Sequence, residues 1–190
     1  MKYAALVAAL LALSATNVGA QEPLPAVSFG EPGYGGSGCP DGTGIAIRGF
    51  SNQAAAYVFD AYKVGDNGRA VDRKTCAIAI PVDVPAGVSV AVRTVGFRGA
   101  AKLPGGLDAT ISVEAFSAGE TGEINELPLN GAMDSGYLRF VTVPDDQLKW
   151  SDCGTDINLR VNTSLRTRGT EDAAVSLNAL IIYPLATKAC

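Results

Sequence analysis

The chain has 190 residues, with 15 Lys and Arg against 19 Asp and Glu, four cysteines and no histidine. Lacking histidine, it has neither Ser-His-Asp nor Cys-His machinery and no histidine-ligated catalytic zinc. The formal charge is −4, and the nearest approaches to a basic cluster, Arg69-Arg73-Lys74 and Arg160-Arg166-Arg168, are short and mixed with acids. A phosphate-binding surface needs clustered cations, so nucleic acid is excluded as an expected partner.

Residues 1–20 read as a secretion signal. Lys2 supplies a positive start, Ala4 to Leu13 a short apolar run, and Val18-Gly19-Ala20 the small residues for cleavage before Gln21. A membrane-spanning helix needs roughly 20 apolar residues, and Ser14, Thr16 and Asn17 interrupt this run well before that. No membrane insertion is expected after cleavage. Loss of Lys2 makes the mature chain one unit more negative.

Residues 21–38 are rich in Pro and Gly and read as an extended arm, with residues 39–190 forming one domain. From Ile45 and Ile47 onward, apolar residues alternate with period two between turn residues, which is the pattern of half-buried strands. Tyr57, Phe59 and Ala61 form one such set, ended by Gly65-Asp66-Asn67-Gly68. Cys76, Ile78, Ile80 and Val82 form the next, followed after Pro85-Ala86-Gly87 by Val88, Val90 and Val92. Further sets are Ile111, Val113 and Ala115; Tyr137 to Val143; Ile157 to Leu165; and Val175, Leu177, Ala179 and Ile181. No helical stripe is sustained. The expected fold is all-β, a β-sandwich of about eight strands. Pro81 cannot donate to a ladder, which marks the Cys76 strand as an edge.

Four thiols allow three pairings. Cys39 to Cys76 and Cys153 to Cys190 have identical separations, which favours pairing in sequence order and two disulfide staples. No C-x-x-C pair is present and no metal site is expected from the cysteines. Calcium is the one cofactor that the loops Asp66-Asn67-Gly68 and Asp145-Asp146 bring to mind, because hard cations take oxygen ligands. Turn chemistry explains the first of these equally well.

Paired carboxylates are the catalytic chemistry still open, since glycoside hydrolysis needs two acids about 5–9.5 Å apart. Asp60, Asp83, Glu114, Glu120, Glu123 and Glu126 are the candidates, with Glu114 and Asp60 foremost because each falls within a strand pattern. The plainer explanation is the polar face of a half-solvated sheet. Tyr34 and Tyr137 are expected at the surface, where an aromatic ring can stack on a sugar. Trp150, three residues before Cys153, is expected to pack beside its disulfide. Arg98, between Phe97 and Gly99, is a further contact candidate. Asn162-Thr163-Ser164 is a formal glycosylation acceptor on the polar side of its strand.

Taken in order, Gly36-Ser37-Gly38-Cys39-Pro40, Arg73-Lys74-Thr75-Cys76 with Pro85-Ala86-Gly87, Phe97-Arg98-Gly99 with Leu103 and Gly106, Trp150-Ser151-Asp152-Cys153-Gly154, Asn162-Thr163 with Arg166, and the terminal Cys190 carry a resemblance. From Gly36 to Cys190 the chain resembles the secreted family of fungi and bacteria called domain of unknown function 4360. The resemblance implies export, a four-cysteine framework and a β fold, and it brings no catalytic residues. Asp152 stands where that family commonly has proline.

The resulting expectation is a secreted or surface-exposed β-sandwich without catalytic activity, acting as a binding or envelope-associated module for an extracellular glycan or a surface protein. Two alternatives remain: a carboxylate-dependent glycan-cleaving enzyme, and an effector or inhibitor that contacts another protein through a protruding loop over residues 119–133.

Overall fold

The computed structural model describes residues 24–42, 45–51, 54–169 and 173–190. The expected leader, residues 1–20, lies outside them. Among the described residues there are fourteen strands and one 3-10 turn, Asp145–Gln147. The strands are β1 (Ser28–Phe29), β2 (Gly33–Gly35), β3 (Ile45–Ser51), β4 (Ala54–Phe59), β5 (Lys63–Val64), β6 (Val71–Asp83) and β7 (Val88–Ala91). They continue with β8 (Thr94–Leu103), β9 (Asp108–Ser117), β10 (Ile124–Asn130), β11 (Met133–Thr142), β12 (Ile157–Arg168), β13 (Ala174–Ile182) and β14 (Ala186–Ala189).

Two six-stranded antiparallel sheets form the sandwich. The front sheet runs β1-β6-β12-β9-β10, with β2 also on β6; the back sheet runs β11-β8-β13-β4-β3, with β5 on β13. Period-two alternation explains why they stack: Cys76, Ile78, Ile80 and Val82 of β6 and Leu159, Val161 and Leu165 of β12 point one way and are buried. They meet Tyr57, Phe97, Val175, Leu177, Leu180 and Ile182 of the back sheet in one apolar cluster. Each fully buried aliphatic or aromatic side chain contributes roughly 1.5–3 kcal/mol before chain entropy is charged against it.

Several elements differ from the sequence reading, each for an identifiable reason. On β13 the expected face of Val175, Leu177, Ala179 and Ile181 is broken by a bulge between Leu177 and Ala179. The extra residue reverses the phase, so Leu180 and Ile182 become the fully buried pair. The Tyr57-Phe59-Ala61 alternation ends at Phe59, because the chain turns at Ala61 and buries Tyr62 instead. The Cys76 strand, expected at an edge, lies inside its sheet, with β12 along one side and the short strands β1 and β2 along the other. Pro81 faces the gap between those two short strands, where its carbonyl accepts from the Gly30 amide at 2.9 Å. A residue's N–H and C=O point to the same side of a strand, so the donor that proline lacks falls on the arm side rather than in the β6–β12 ladder.

Two covalent ties close the ends. Cys39 is bonded to Cys76, anchoring the segment after β2 onto β6, and Cys153 is bonded to Cys190, beside the small β7–β14 sheet. The Ser151 and Gly154 amides donate to the Val90 and Val88 carbonyls at 2.8 Å, so the segment before and after Cys153 is stitched along β7.

Candidate functional site

The front sheet's outer face is assembled from short polar side chains in register. In one cross-strand row stand Thr75, Ser164, Ser112 and Glu126; in the next stand Ala77, Asn162, Glu114 and Ile124, with Gly35 of β2 opposite Ala77. These two rows form the floor of an open groove of about 460 Å³ that crosses the strands. At a strand spacing of 4.7–4.9 Å, five strands give it a length of roughly 19 Å. The floor is low over β2, β6 and β12, where its residues are Gly35, Thr75, Ala77, Asn162 and Ser164.

Hydrogen bonds hold the floor's polar groups in place. The Asn162 amide donates to Glu114 Oε2 at 3.2 Å, and the Ser112 hydroxyl reaches Glu126 Oε1 at 3.5 Å. Beneath them, the buried Thr163 hydroxyl donates to the Cys76 carbonyl at 3.1 Å and lies 3.2 Å from the Tyr62 hydroxyl. Tyr62 in turn donates to the Lys74 carbonyl. Burial pushes the Tyr62 phenol up to about 12, with the Thr163 hydrogen bond and the Arg73 charge acting the other way. This network fastens β12 to β6 directly behind Asn162 and Ser164.

The groove's flanking rows are longer. On one side Arg73 of β6 stands opposite Arg166 of β12, and on the other Arg160 lies between Ala79 and Phe116. At the far end of the floor Ile124 is 62% exposed. The groove therefore offers hydroxyl, amide and carboxylate groups on its floor, cations on both sides and apolar surface at one end.

Glu114 and Asn162, which the alternation singles out, are brought together here. Asn162 is exposed in mid-strand, and its side-chain amide is engaged by Glu114. The two tyrosines expected at the surface turn inward instead. Tyr34 pairs with the inward Ile78 and packs half-buried against the core. Tyr137 lies across Gly99, and its hydroxyl donates to the Ser176 carbonyl at 2.7 Å. Burial raises that phenol well above its usual value. Arg98 is exposed on the back sheet and shares a shallow depression with Tyr137 and Asn178. Asp60 is exposed just beyond β4 rather than within a strand.

Glu120 and Glu123 line a separate cavity of about 350 Å³ with Phe116 and Lys149, where the Lys149 ammonium donates to the Thr121 carbonyl. The expected protruding loop over residues 119–133 is mostly β10, whose seven residues pair in register with β9. Asp83 accepts from the Ser28 hydroxyl. Asp66 pairs with Lys63 and Asp145 with Arg93, each at 2.7 Å, and Asn67 Oδ1 accepts from the Arg69 amide. The Lys63 hydrogen bond holds the Asp66 carboxyl below its ordinary range. Neither loop gathers three metal-ligating side chains among the described residues. Trp150 is half-buried, with the ammonium of Lys188, on β14, 4.2 Å from the centre of its ring.

Sequence reasoning passed over one exposed aromatic pair. Phe140 and Tyr183 meet edge to face, with ring centroids 5.6 Å apart, above Gly96 on the back sheet. A β-carbon at Gly96 would lie 2.9 Å from the Phe140 ring. The signal was the glycine itself, which inside a strand marks a close approach by another group.

Among the described residues no helix is long and apolar enough to cross a membrane. Two disulfides and no free cysteine belong to an oxidising compartment. An uncharacterized secreted protein of Arthroderma benhamiae is 29% identical over 143 residues, covering 73% of this chain. The matched region spans 58% of that relative's length. Among solved structures, TmCBM61 in complex with β-1,4-galactotriose aligns over 85% of this chain and 91% of its own, at 13% identity and a TM-score of 0.35. A family 11 carbohydrate-binding module from Clostridium thermocellum, in complex with a β-1,3-1,4-mixed-linked tetrasaccharide, aligns over 86% and 92%, at 10% identity and a TM-score of 0.23. A family model matches residues 26–180, and the chain belongs to the family defined by domain of unknown function 4360.

Proposed function

We propose that this is a secreted, non-catalytic glycan-binding module whose ligand is an oligosaccharide segment lying in the front groove, across the strands. The observation that supports this reading is the groove floor. Asn162, Glu114, Ser112, Glu126, Thr75 and Ser164 present alternating donors and acceptors to solvent in two straight rows. Sugar hydroxyls both donate and accept, and a floor of hydroxyl, amide and carboxylate groups matches them pair by pair. The groove is open and elongated, a shape suited to a chain rather than an enclosed small molecule. Ile124, at the far end of the floor, supplies apolar surface for the C–H face of a sugar ring.

The test uses protein purified from the medium of a secreting host, incubated with a panel of insoluble and soluble polysaccharides. Protein depletion and released reducing ends are measured together. Depletion without release is expected, and it should be lost in Ala77→Trp, which fills the floor from an exposed position. No depletion across the panel, or depletion unchanged by Ala77→Trp, would sink the reading.

One observation favours the glycan-cleaving alternative enough to keep it in view. Glu114 and Glu126 stand at diagonal positions on β9 and β10, where cross-strand spacing is roughly 7–8 Å, within the span that two-carboxylate hydrolysis uses. Glu114→Gln separates the two. A binding module keeps its fold to within about 0.5 kcal/mol, binds more weakly and releases background reducing ends before and after the change. An enzyme loses release.

A further inference from the structure

Resting on the groove reading above, we propose that the glycan is acidic, and that Arg73 and Arg166 form the site for its anionic substituent. The two arginines are distant in sequence but directly opposite one another on β6 and β12. Directly opposed side chains have β-carbons about 4.5–5.5 Å apart, and like charges there oppose folding. Nothing in their own row offsets the repulsion, because the next residues across are Thr110 and Pro128. The ion pairs among the described residues, Lys63–Asp66 and Arg93–Asp145, involve neither arginine. Arg168, one row further, faces Asp108, which is also the diagonal neighbour of Arg166 and forms an ion pair with neither. Glu126, the nearest floor carboxylate in the adjoining row, lies on β10, two strands away from Arg166.

This arrangement is expensive for the free protein and becomes favourable once an anion bridges the pair. Guanidinium groups present planar forks of donors that take a carboxylate or an oxyanion two bonds at a time. Arg73 also lines the groove itself. A sugar chain lying on the Thr75-Ser164-Ser112 row would therefore carry a substituent on its near edge straight to the two forks. Arg160, in the flanking row on the opposite side, adds a third cation beside the groove. The net negative charge of the whole chain hides this patch, since the acids of this face lie chiefly on β9 and β10 and the arginines all lie on β6 and β12.

The experiment compares four probes with the secreted protein: polygalacturonate, the same polymer fully methyl-esterified, chondroitin sulfate and neutral β-1,4-galactan. Binding is followed by calorimetry at low and high salt, with Arg73→Gln/Arg166→Gln, Arg73→Lys/Arg166→Lys and Ala77→Trp alongside. Binding to at least one acidic polymer is expected at about tenfold or more above its neutral counterpart, weakening with salt. Polygalacturonate carries carboxylate alone and chondroitin sulfate carries both carboxylate and sulfate, so binding of the first shows that a carboxylate suffices and binding of only the second points to the sulfate. The glutamine double variant should lose that preference and the lysine variant should keep part of it. In ligand-free solution the glutamine variant should melt at an equal or higher temperature than the parent, which a structural role for the arginines does not predict.

Equal binding of the acidic polymers and their neutral or esterified counterparts, abolished by Ala77→Trp but not by the glutamine variant, overturns the anion site and leaves the groove standing. Failure of all four probes overturns the anion site together with its basis. A lower melting temperature of the ligand-free glutamine variant overturns the argument from opposed charges.

Discussion

Tyr62→Phe tests the network behind the groove floor, and its cost should depend on pH in a way that can be worked out. Tyr62 is 2% exposed, donates to the Lys74 carbonyl at 3.2 Å and lies 3.2 Å from the Thr163 hydroxyl. Removing the hydroxyl leaves that carbonyl without this donor, while Thr163 keeps Cys76 as its acceptor. The expected loss near neutral pH is about 1–2 kcal/mol. The phenol's folded value is about 12 against an ordinary value near 10, so on raising the pH the unfolded chain releases this proton first. Between those values the folded form holds more protons, and the parent loses stability as pH rises; below pH 10 the contribution is intact. The two values imply a loss from Tyr62 on the order of 1 kcal/mol at pH 11 and 2 kcal/mol at pH 12. The phenylalanine variant has no such proton. Tyr57 is retained in both proteins and cancels; Tyr137 is retained too, and only the smaller part of its shift that comes from the Tyr62 charge differs. Urea midpoints measured at pH 7, 9, 10 and 11 should therefore show the variant's deficit shrinking above pH 10 and closing near pH 11. A deficit that is the same at pH 7 and pH 11 would refute the raised phenol, and the absence of a deficit at pH 7 would refute its place in the network.

Two stability predictions follow from backbone packing and from covalent closure. In Gly99→Ala the new β-carbon meets the Ser176 carbonyl oxygen and the Tyr137 hydroxyl; one is backbone of a paired strand and the other is hydrogen-bonded. Thermal melts should show a loss of about 3 kcal/mol, whereas Gly105→Ala, with nothing within 4 Å, should stay within about 0.5 kcal/mol. Cys39→Ser/Cys76→Ser opens a loop whose ends are 37 residues apart, worth about 4 kcal/mol in the chain-entropy model. Urea unfolding measures it, and a loss below 1 kcal/mol would show that the short β1 and β2 ladders alone hold this end closed.

The sandwich was legible because most of its long strands bury one face and solvate the other, as in β6, β9 and β12. The missing strands are those where that signal is weak. At the centre of its sheet, β8 reads Thr-Val-Gly-Phe-Arg-Gly-Ala-Ala-Lys-Leu. Its glycines look like turn residues in isolation, yet Gly96 makes room for Phe140 and Tyr183, and Gly99 for Tyr137. On the edge, β10 buries Leu129 alone and carries Pro128, so it reads as a loop until its pairing with β9 is seen. The bulge in β13 has no signature in composition, and a one-residue slip is enough to exchange the faces of a strand. The exposure expected of Tyr34 and Tyr137 fails for the same reason: parity of position within the strand decides which way a side chain points, and neighbouring glycines do not reveal it.

The candidate site shows where sequence reasoning stops. Glu114 and Asn162 each stand out alone, as polar residues within apolar alternation, but their contact depends on the register of β9 against β12. The opposition of Arg73 and Arg166, whose sequence neighbourhoods each contain acids and therefore look neutral, depends likewise on the register of β6 against β12. Alternation sends the local acid and base to different faces: Asp72 is buried and accepts from the Gly65 amide, while Arg73 points into the groove. A charge count along the chain averages these two environments, although they lie on opposite sides of one sheet. Pairing then adds the outward cations of β12 to those of β6, and like charges accumulate on a face of an acidic protein. Selection for folding alone would separate such a pair, because removing either charge relieves the repulsion without disturbing the core. Its presence beside a polar groove is for that reason better accounted for by a ligand than by the fold.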